Sequence, residues 1–407
     1  MIVRRFLMWA GMVPPGQRAE GVRALAQGLL YSSMPDDVKR EAEAALTSML
    51  DDPSPLVRQA LADAFASAKE APRHCIIALA HDQPEIAALV LERSPLLTDD
   101  DLIECVGRGD AATQTAIARR PELSAAVSAS LVETACAEAL QALAENPGAD
   151  VPEFSLRSMI KRFGSDGALR EALLSRPYLP PCVRADLVFA SASALSAFVS
   201  DCGWLPSERS ARASRETCER VAIDLVVEAG REDPFEGAQM MARHLRVAGK
   251  LTPALMLRSL LSADRSLFEA ARAELSGLPL VRAAGFVHFH QGGGFAALYK
   301  RAGMPADLFP IFQSVLAAQD ELGEVEALEK PQLSRRLVGM ALRDCGRLHG
   351  GGTARVMAML RQFDAEAAQE EAREIAARLC ARPDPLPQLP APYLEQSIEL
   401  LALARAS

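Results

Sequence analysis

Apolar residues recur at spacings of three and four along the first half of the chain, as in Leu102, Ile103 and Val106, Val127 and Leu131, and Leu156, Met159, Ile160 and Phe163. That spacing lines one face of an α-helix. No long alternating run of β-branched and aromatic residues appears, and Ala, Leu, Glu and Arg are plentiful, so the predicted fold class is all-α. Four segments, "ERSPLLTDDDLIE", "ARRPELSAAVSAS", "AENPGADVPEFSL" and "LSRPYLPPCVRAD", share one design around Pro95, Pro121, Pro147 and Pro177. Proline drives the residue before it out of the helical region, so a helix ends at each anchor. Thr98, Ser124, Ser155 and Pro180 are then expected to open the next helix. The period of 26 to 30 residues predicts a stack of helical hairpins, each burying its apolar stripe against its neighbours.

Upstream, "DDPSPLVRQALADAF" sets Val57, Ala60, Leu61, Ala64 and Phe65 on one helix face after an Asp-Pro turn, with Arg58 beside Val57. This segment resembles a HEAT repeat, and the shorter units that follow resemble leucine-rich repeat variants. The expected organisation is a HEAT-like α-solenoid over residues 1–200, then a Ser/Arg-rich linker within 201–216. A second helical region covers 209–382, and a proline-rich linker with a terminal amphipathic helix covers 383–407. The second region is predicted from stripes such as Cys218, Val221, Ala222 and Leu225, from the Thr252-Pro253 start and the Gly277 stop, and from Leu308, Phe309, Phe312, Val315 and Leu316.

The solenoid start, "DQPEIAALVLERSPLLTDDDL" and "LLSADRSLFEAARAELSGLPLVRAAGFVHFHQGGGFAALYKRAGMP" together resemble a bacterial family known as domain of unknown function 2336, over nearly the whole chain. The resemblance implies a helical cytoplasmic protein with HEAT-like repeats. It brings no activity and no catalytic residue. Phe289 stands where the family pattern carries Asp.

Charge narrows the choice of partner. Residues 1–150 hold 13 Lys and Arg against 22 Asp and Glu, a balance of −9, while the remainder is neutral. A phosphate-tracking groove needs clustered cations, so nucleic acid is disfavoured. The eight cysteines form no C-x-x-C pair, which excludes a zinc ribbon or iron–sulfur motif and suits a reducing cytoplasm. Cys75, Cys105 and Cys136 fall at near-equal spacing and are expected at equivalent core positions. Arg4-Arg5 before Phe6 to Val13 resembles a short export signal, but Pro14-Pro15 interrupts the apolar run and an amphipathic first helix is expected. No segment is read as approaching a membrane span.

Nucleophile-elbow, zinc-protease, dinucleotide and Walker motifs are absent from the sequence, so no enzymatic role, cofactor or metal is predicted. The remaining candidate is "HFHQGGGFAALYKR". His288, His290, Gly292, Gly293, Gly294, Tyr299, Lys300 and Arg301 are read as a partner- or anion-binding surface, with Tyr299, Lys300 and Arg301 exposed and Gly293 a candidate for positive φ. A second glycine run precedes Thr353. The expected function is a non-enzymatic helical-repeat adaptor that binds a protein partner or itself. The alternative is a phosphate or small-ligand domain built on the glycine loops.

Overall fold

The structure, a computed structural model, describes residues 2–230, 234–262, 264–323, 330–345 and 353–381. Among these residues it is all-helical, and its single extended pairing is an isolated bridge between Leu123 and Ala149. The chain divides into two compact units, Met1–Leu225 and Val226–Ser407.

The first unit contains α1 (Ile2–Ala10), α2 (Pro15–Tyr31), α3 (Asp36–Ser48), α4 (Pro55–Phe65), α5 (Arg73–Ala80), α6 (Pro84–Arg93) and α7 (Asp99–Arg108). It continues with α8 (Ala111–Ala118), α9 (Ala125–Thr134), α10 (Ala137–Glu145), α11 (Glu153–Phe163), α12 (Gly167–Leu174) and α13 (Pro181–Asp201). Then α14 (Ser207–Ala229) begins inside the stretch expected to be a linker. Its Ser/Arg-rich first turns are held by an Arg212–Glu216 pair one turn apart and by Ser210, whose hydroxyl donates to the Ser196 carbonyl.

Helices pack on the next but one in sequence. α4, α6, α8, α10 and α12 touch in succession, and so do α7, α9, α11 and α13. The anchor prolines act as the pattern implies, since α6, α8, α10 and α12 end at Arg93, Ala118, Glu145 and Leu174. Thr98 forms a capping box with Asp101, and the Ser124 side chain accepts from the Val127 amide. Ser155 does not cap: α11 starts at Glu153 after Pro152, which leaves Ser155 buried inside it. The cysteine spacing is also not a structural period. Cys75 and Cys105 are buried within helices, whereas Cys136 sits half-buried at the N-cap of α10.

The residues just before the anchor prolines form a ladder that periodicity does not reveal. Arg120 Nη1 donates to the Leu91 carbonyl at 2.5 Å and Nη2 to the Ser94 carbonyl at 2.8 Å. Asn146 Nδ2 donates to the Ala118 and Arg120 carbonyls at 2.8 and 2.6 Å. Arg176 spans the carbonyls of Leu143, Ala144, Asn146 and Ala149 at 2.9 to 3.2 Å. Each side chain thus satisfies carbonyls left orphaned at the end of the helix one repeat earlier, where the helix dipole favours a cation. Arg162 does the same for Val132 and Ala135 in the alternate row. Gly148 permits the close approach of successive turns, because a Cβ there would lie 1.9 Å from the Pro121 carbonyl oxygen. We expect Arg176→Ala to lower the stability of this unit by about 1.5–3 kcal/mol, as charge-assisted bonds to buried carbonyls are lost. Urea unfolding followed by circular dichroism reads that change.

The 21-residue α13 is the one described helix long and apolar enough to cross a bilayer by length and composition, a feature the sequence reading passed over. Its first half is committed to the core through Cys182, Val183, Ala185, Leu187 and Phe189.

The second unit holds α15 (Pro234–Val247), α16 (Pro253–Leu261), α17 (Ser266–Ser276), α18 (Leu280–His288), α19 (Gly293–Arg301), α20 (Phe309–Gly323), α21 (Lys330–Cys345) and α22 (Thr353–Ala381). α17 is the hub, with α15, α16, α18 and α19 packed against it. It ends on Gly277, whose φ of +68° supplies the left-handed stop expected there. The glycine run 350–352 and residues 383–407, where a linker and terminal helix were expected, lie outside the described residues.

Candidate functional site

Four residues, 289–292, join α18 to α19 and include His290 of the H-x-H motif, whose first histidine, His288, ends α18. The two histidines diverge. His288 is exposed, with Nε2 3.7 Å from Glu269 Oε1 on α17. His290 is buried, with Nδ1 3.5 Å from Asp320 Oδ2 on α20, and its carbonyl accepts from Gln313. Burial pushes the Glu269 carboxyl above its usual range, opposed by His288 and Arg265. Asp320 also receives the guanidinium of Arg265 at 2.5 Å. Each imidazole therefore faces its own carboxylate, and the two do not converge on a common ligand position. Among the described residues no group of three or more His, Cys, Asp or Glu side chains could hold a metal ion.

The glycines divide their labour differently from expectation. Gly292 caps α19 in extended conformation, with φ −83° and ψ 159°. Gly293 has no positive φ and open space where a Cβ would project, so nothing there demands glycine. The constrained position is Gly294, where a Cβ would lie 2.6 Å from the Phe286 ring.

Tyr299 was expected to be exposed, and the structure reverses this. It is 3% exposed, packs on Phe295, Phe309 and Phe312, and donates its hydroxyl to the Pro305 carbonyl at 2.8 Å. The physical reason is helical register: Phe295, Leu298 and Tyr299 form the inward stripe of α19, and the Tyr hydroxyl finds a backbone acceptor. Lys300 and Arg301 are exposed, but Arg301 Nε donates to the Ser276 carbonyl at 2.7 Å and so closes the end of α17. Both cations occupy the last turn of α19, roughly 10 Å along the axis from the glycine amides at its first turn. A single small anion cannot meet both ends, which leaves a broad surface rather than a phosphate cradle.

The side chain that periodicity missed is Arg272. It is fully buried on α17, stacked by Phe268, Tyr299 and Phe312 with its guanidinium carbon 4.9 to 5.9 Å from their ring centres. Its Nη2 donates to the Met256 sulfur, while Nε and Nη1 have no hydrogen-bond partner among the described residues. In "FEAARAELSG" an arginine reads as the polar face of a helix. Nothing in that pattern shows that three other helices, α16, α19 and α20, close around it. Elsewhere, burial pushes the Cys182 thiol up to about 11, which keeps it protonated at neutral pH.

Two all-helical units, one with regularly stacked helices and one with a surface lacking a convergent catalytic or metal constellation among its described residues, define the class of protein. The bacterial family described as "Uncharacterised protein conserved in bacteria (DUF2336)" matches residues 86–348, and the chain belongs to it. No curated protein and no solved structure matches the chain.

Proposed function

We propose that this chain is a non-enzymatic adaptor whose first unit is a HEAT-like α-solenoid presenting a protein-binding surface. The observation that carries this reading is the alternate-helix packing of unit one combined with the carbonyl ladder from Arg120, Asn146 and Arg176. A stack of this kind holds turns at fixed spacing and repeats them along one edge, which is what an extended partner needs. On that edge Arg176 draws the turn after α12 against the turn before α11, and Phe154, Leu174 and Tyr178 stand exposed around the pair. Tyr178 is wholly exposed with φ +59°, a left-handed conformation uncommon for an aromatic residue. Exposed aromatics held in fixed positions are common anchors of protein interfaces.

The net negative charge of residues 1–150 favours a basic or neutral protein over nucleic acid. Cytoplasmic residence accords with eight cysteines that lack paired spacing. Tyr178→Glu is expected to weaken partner capture about tenfold or more while leaving the helical signal unchanged. Lys300→Glu tests the second-unit surface, and it is cleaner than a change at Arg301, which also holds the end of α17. At an exposed position its stability cost is expected within about 0.5 kcal/mol. Unaltered capture by both variants removes these surfaces from the proposal.

A further inference from the structure

The two faces of α1 are used differently. The inner face is seated on α2, where Trp9 and Phe6 close over Gly21 so tightly that a Cβ there would lie 2.5 Å from the Trp9 ring, and Ala10 is buried. That face belongs to the core. On the outer side Leu7 and Met8, with Met12 in the turn that follows, are 40%, 58% and 77% exposed. Grouped exposed apolar residues mark interaction sites. Helical register fixes which charges accompany them. Residues three and four apart share a face, so Arg4 lies beside Leu7 and Met8, and Arg5 beside Met8. Both arginines are exposed, and neither has a hydrogen bond or ion pair among the described residues. Residues 1–19 contain no Asp or Glu, and their third cation, Arg18, is already taken by Asp52.

Whatever covers this face must therefore supply negative charge and an apolar medium together. Nucleic acid supplies phosphates but no hydrocarbon for Leu7, Met8 and Met12. An anionic bilayer supplies both, and arginine suits its boundary because the stem lies along apolar surface while the guanidinium stays with the headgroups. At nine residues α1 is far too short to span a membrane, so the contact is one of lying in the interface plane. Residues 20–150 hold the other 10 of the 13 cations and all 22 carboxylates of the first third, which keeps the body of the unit off such a surface. Attraction is confined to the edge that carries α1, within the roughly 8 Å that charges reach at physiological ionic strength.

We propose that the outer face of α1 docks on an anionic lipid surface, with Leu7, Met8 and Met12 entering the headgroup boundary and Arg4 and Arg5 meeting lipid phosphates. The inference is independent of the adaptor reading. The test is co-sedimentation of the full-length protein with phosphatidylglycerol vesicles and, separately, with phosphatidylcholine vesicles. The variants are Met8→Asp and the pair Arg4→Ala with Arg5→Ala, all at exposed positions, and circular dichroism checks that each keeps its helical content. The wild type is expected to bind phosphatidylglycerol at least about tenfold more tightly than phosphatidylcholine, and to be released when about 1 M salt shortens the reach of its charges to about 3 Å. Removing both arginines should weaken binding about thirty-fold, and Met8→Asp about tenfold or more. In a Trp204→Phe background, Trp9 fluorescence should also move to shorter wavelength as phosphatidylglycerol vesicles are added. Failure of the wild type to bind these vesicles, or binding indifferent to both variants, overturns the proposal. So does retention on polyglutamate as tight as on the vesicles and unaltered by Met8→Asp, which would assign Arg4 and Arg5 to a soluble acidic ligand.

Discussion

Replacing Leu61 by Ala should lower the stability of the first unit by about 2–5 kcal/mol. Leu61 lies on α4 in "PLVRQALADAF", fully buried with Val57, Ala60 and Phe65 on the stripe that its spacing predicts. α4 packs between α2 and α6, so a cavity there is felt on two sides. The size of the loss depends on how far those neighbours relax, and close-packed interiors relax little. Urea unfolding should show a lower midpoint with an unchanged slope. A loss under about 1 kcal/mol would mean that the site collapses freely around the missing methyl groups, contrary to the packing described.

The second large effect has the opposite sign. Arg272→Met should stabilise the second unit by about 1–4 kcal/mol, because a well-packed apolar side chain replaces a buried guanidinium that has no carboxylate partner among the described residues. Burial brings the Arg272 pKa down from its ordinary value to about 10, which at neutral pH corresponds to about 3 kcal/mol of unfavourable charge burial. The unfolded chain holds this proton more tightly than the folded one, so wild-type stability rises as pH climbs above about 10 towards the ordinary arginine range. Below that window the penalty is fully present. The advantage of the variant should therefore be constant below pH 10 and shrink above it. Native-state hydrogen exchange at the amides of α17 reads this locally, apart from the unfolding of the first unit. Slower exchange in the variant is expected, and faster exchange would show that the stacked guanidinium is a net stabiliser.

These two positions also mark how far the sequence can be read. Leu61 was legible because helical periodicity survives wherever one face is buried and the other wet. The ends of α6, α8, α10 and α12 were legible because proline acts locally on the residue before it. Arg120, Asn146 and Arg176 precede those prolines in plain view, but their role depends on carbonyls 26 to 33 residues away, and no local rule reaches that far. Arg272 shows the same limit, since it is polar by type and buried by its neighbours.

At the glycine loop the elements were legible and the exposures were not. His288 and Lys300 face solvent, but the register of α19 turns Tyr299 inward, and the loop carries His290 under α20. The separation of glycines and cations was already implicit in the length of α19, because a nine-residue helix sets its two ends apart whatever it packs against.

The adaptor reading is tested most directly by crosslinked capture of the full-length protein from its native cells, with the crosslinked residues mapped by mass spectrometry. The account predicts crosslinks to a discrete protein partner, concentrated on the first unit around the turns that carry Phe154, Leu174 and Tyr178. Recovery of nucleic acid without protein, or of a protein crosslinked only away from those turns, would contradict it.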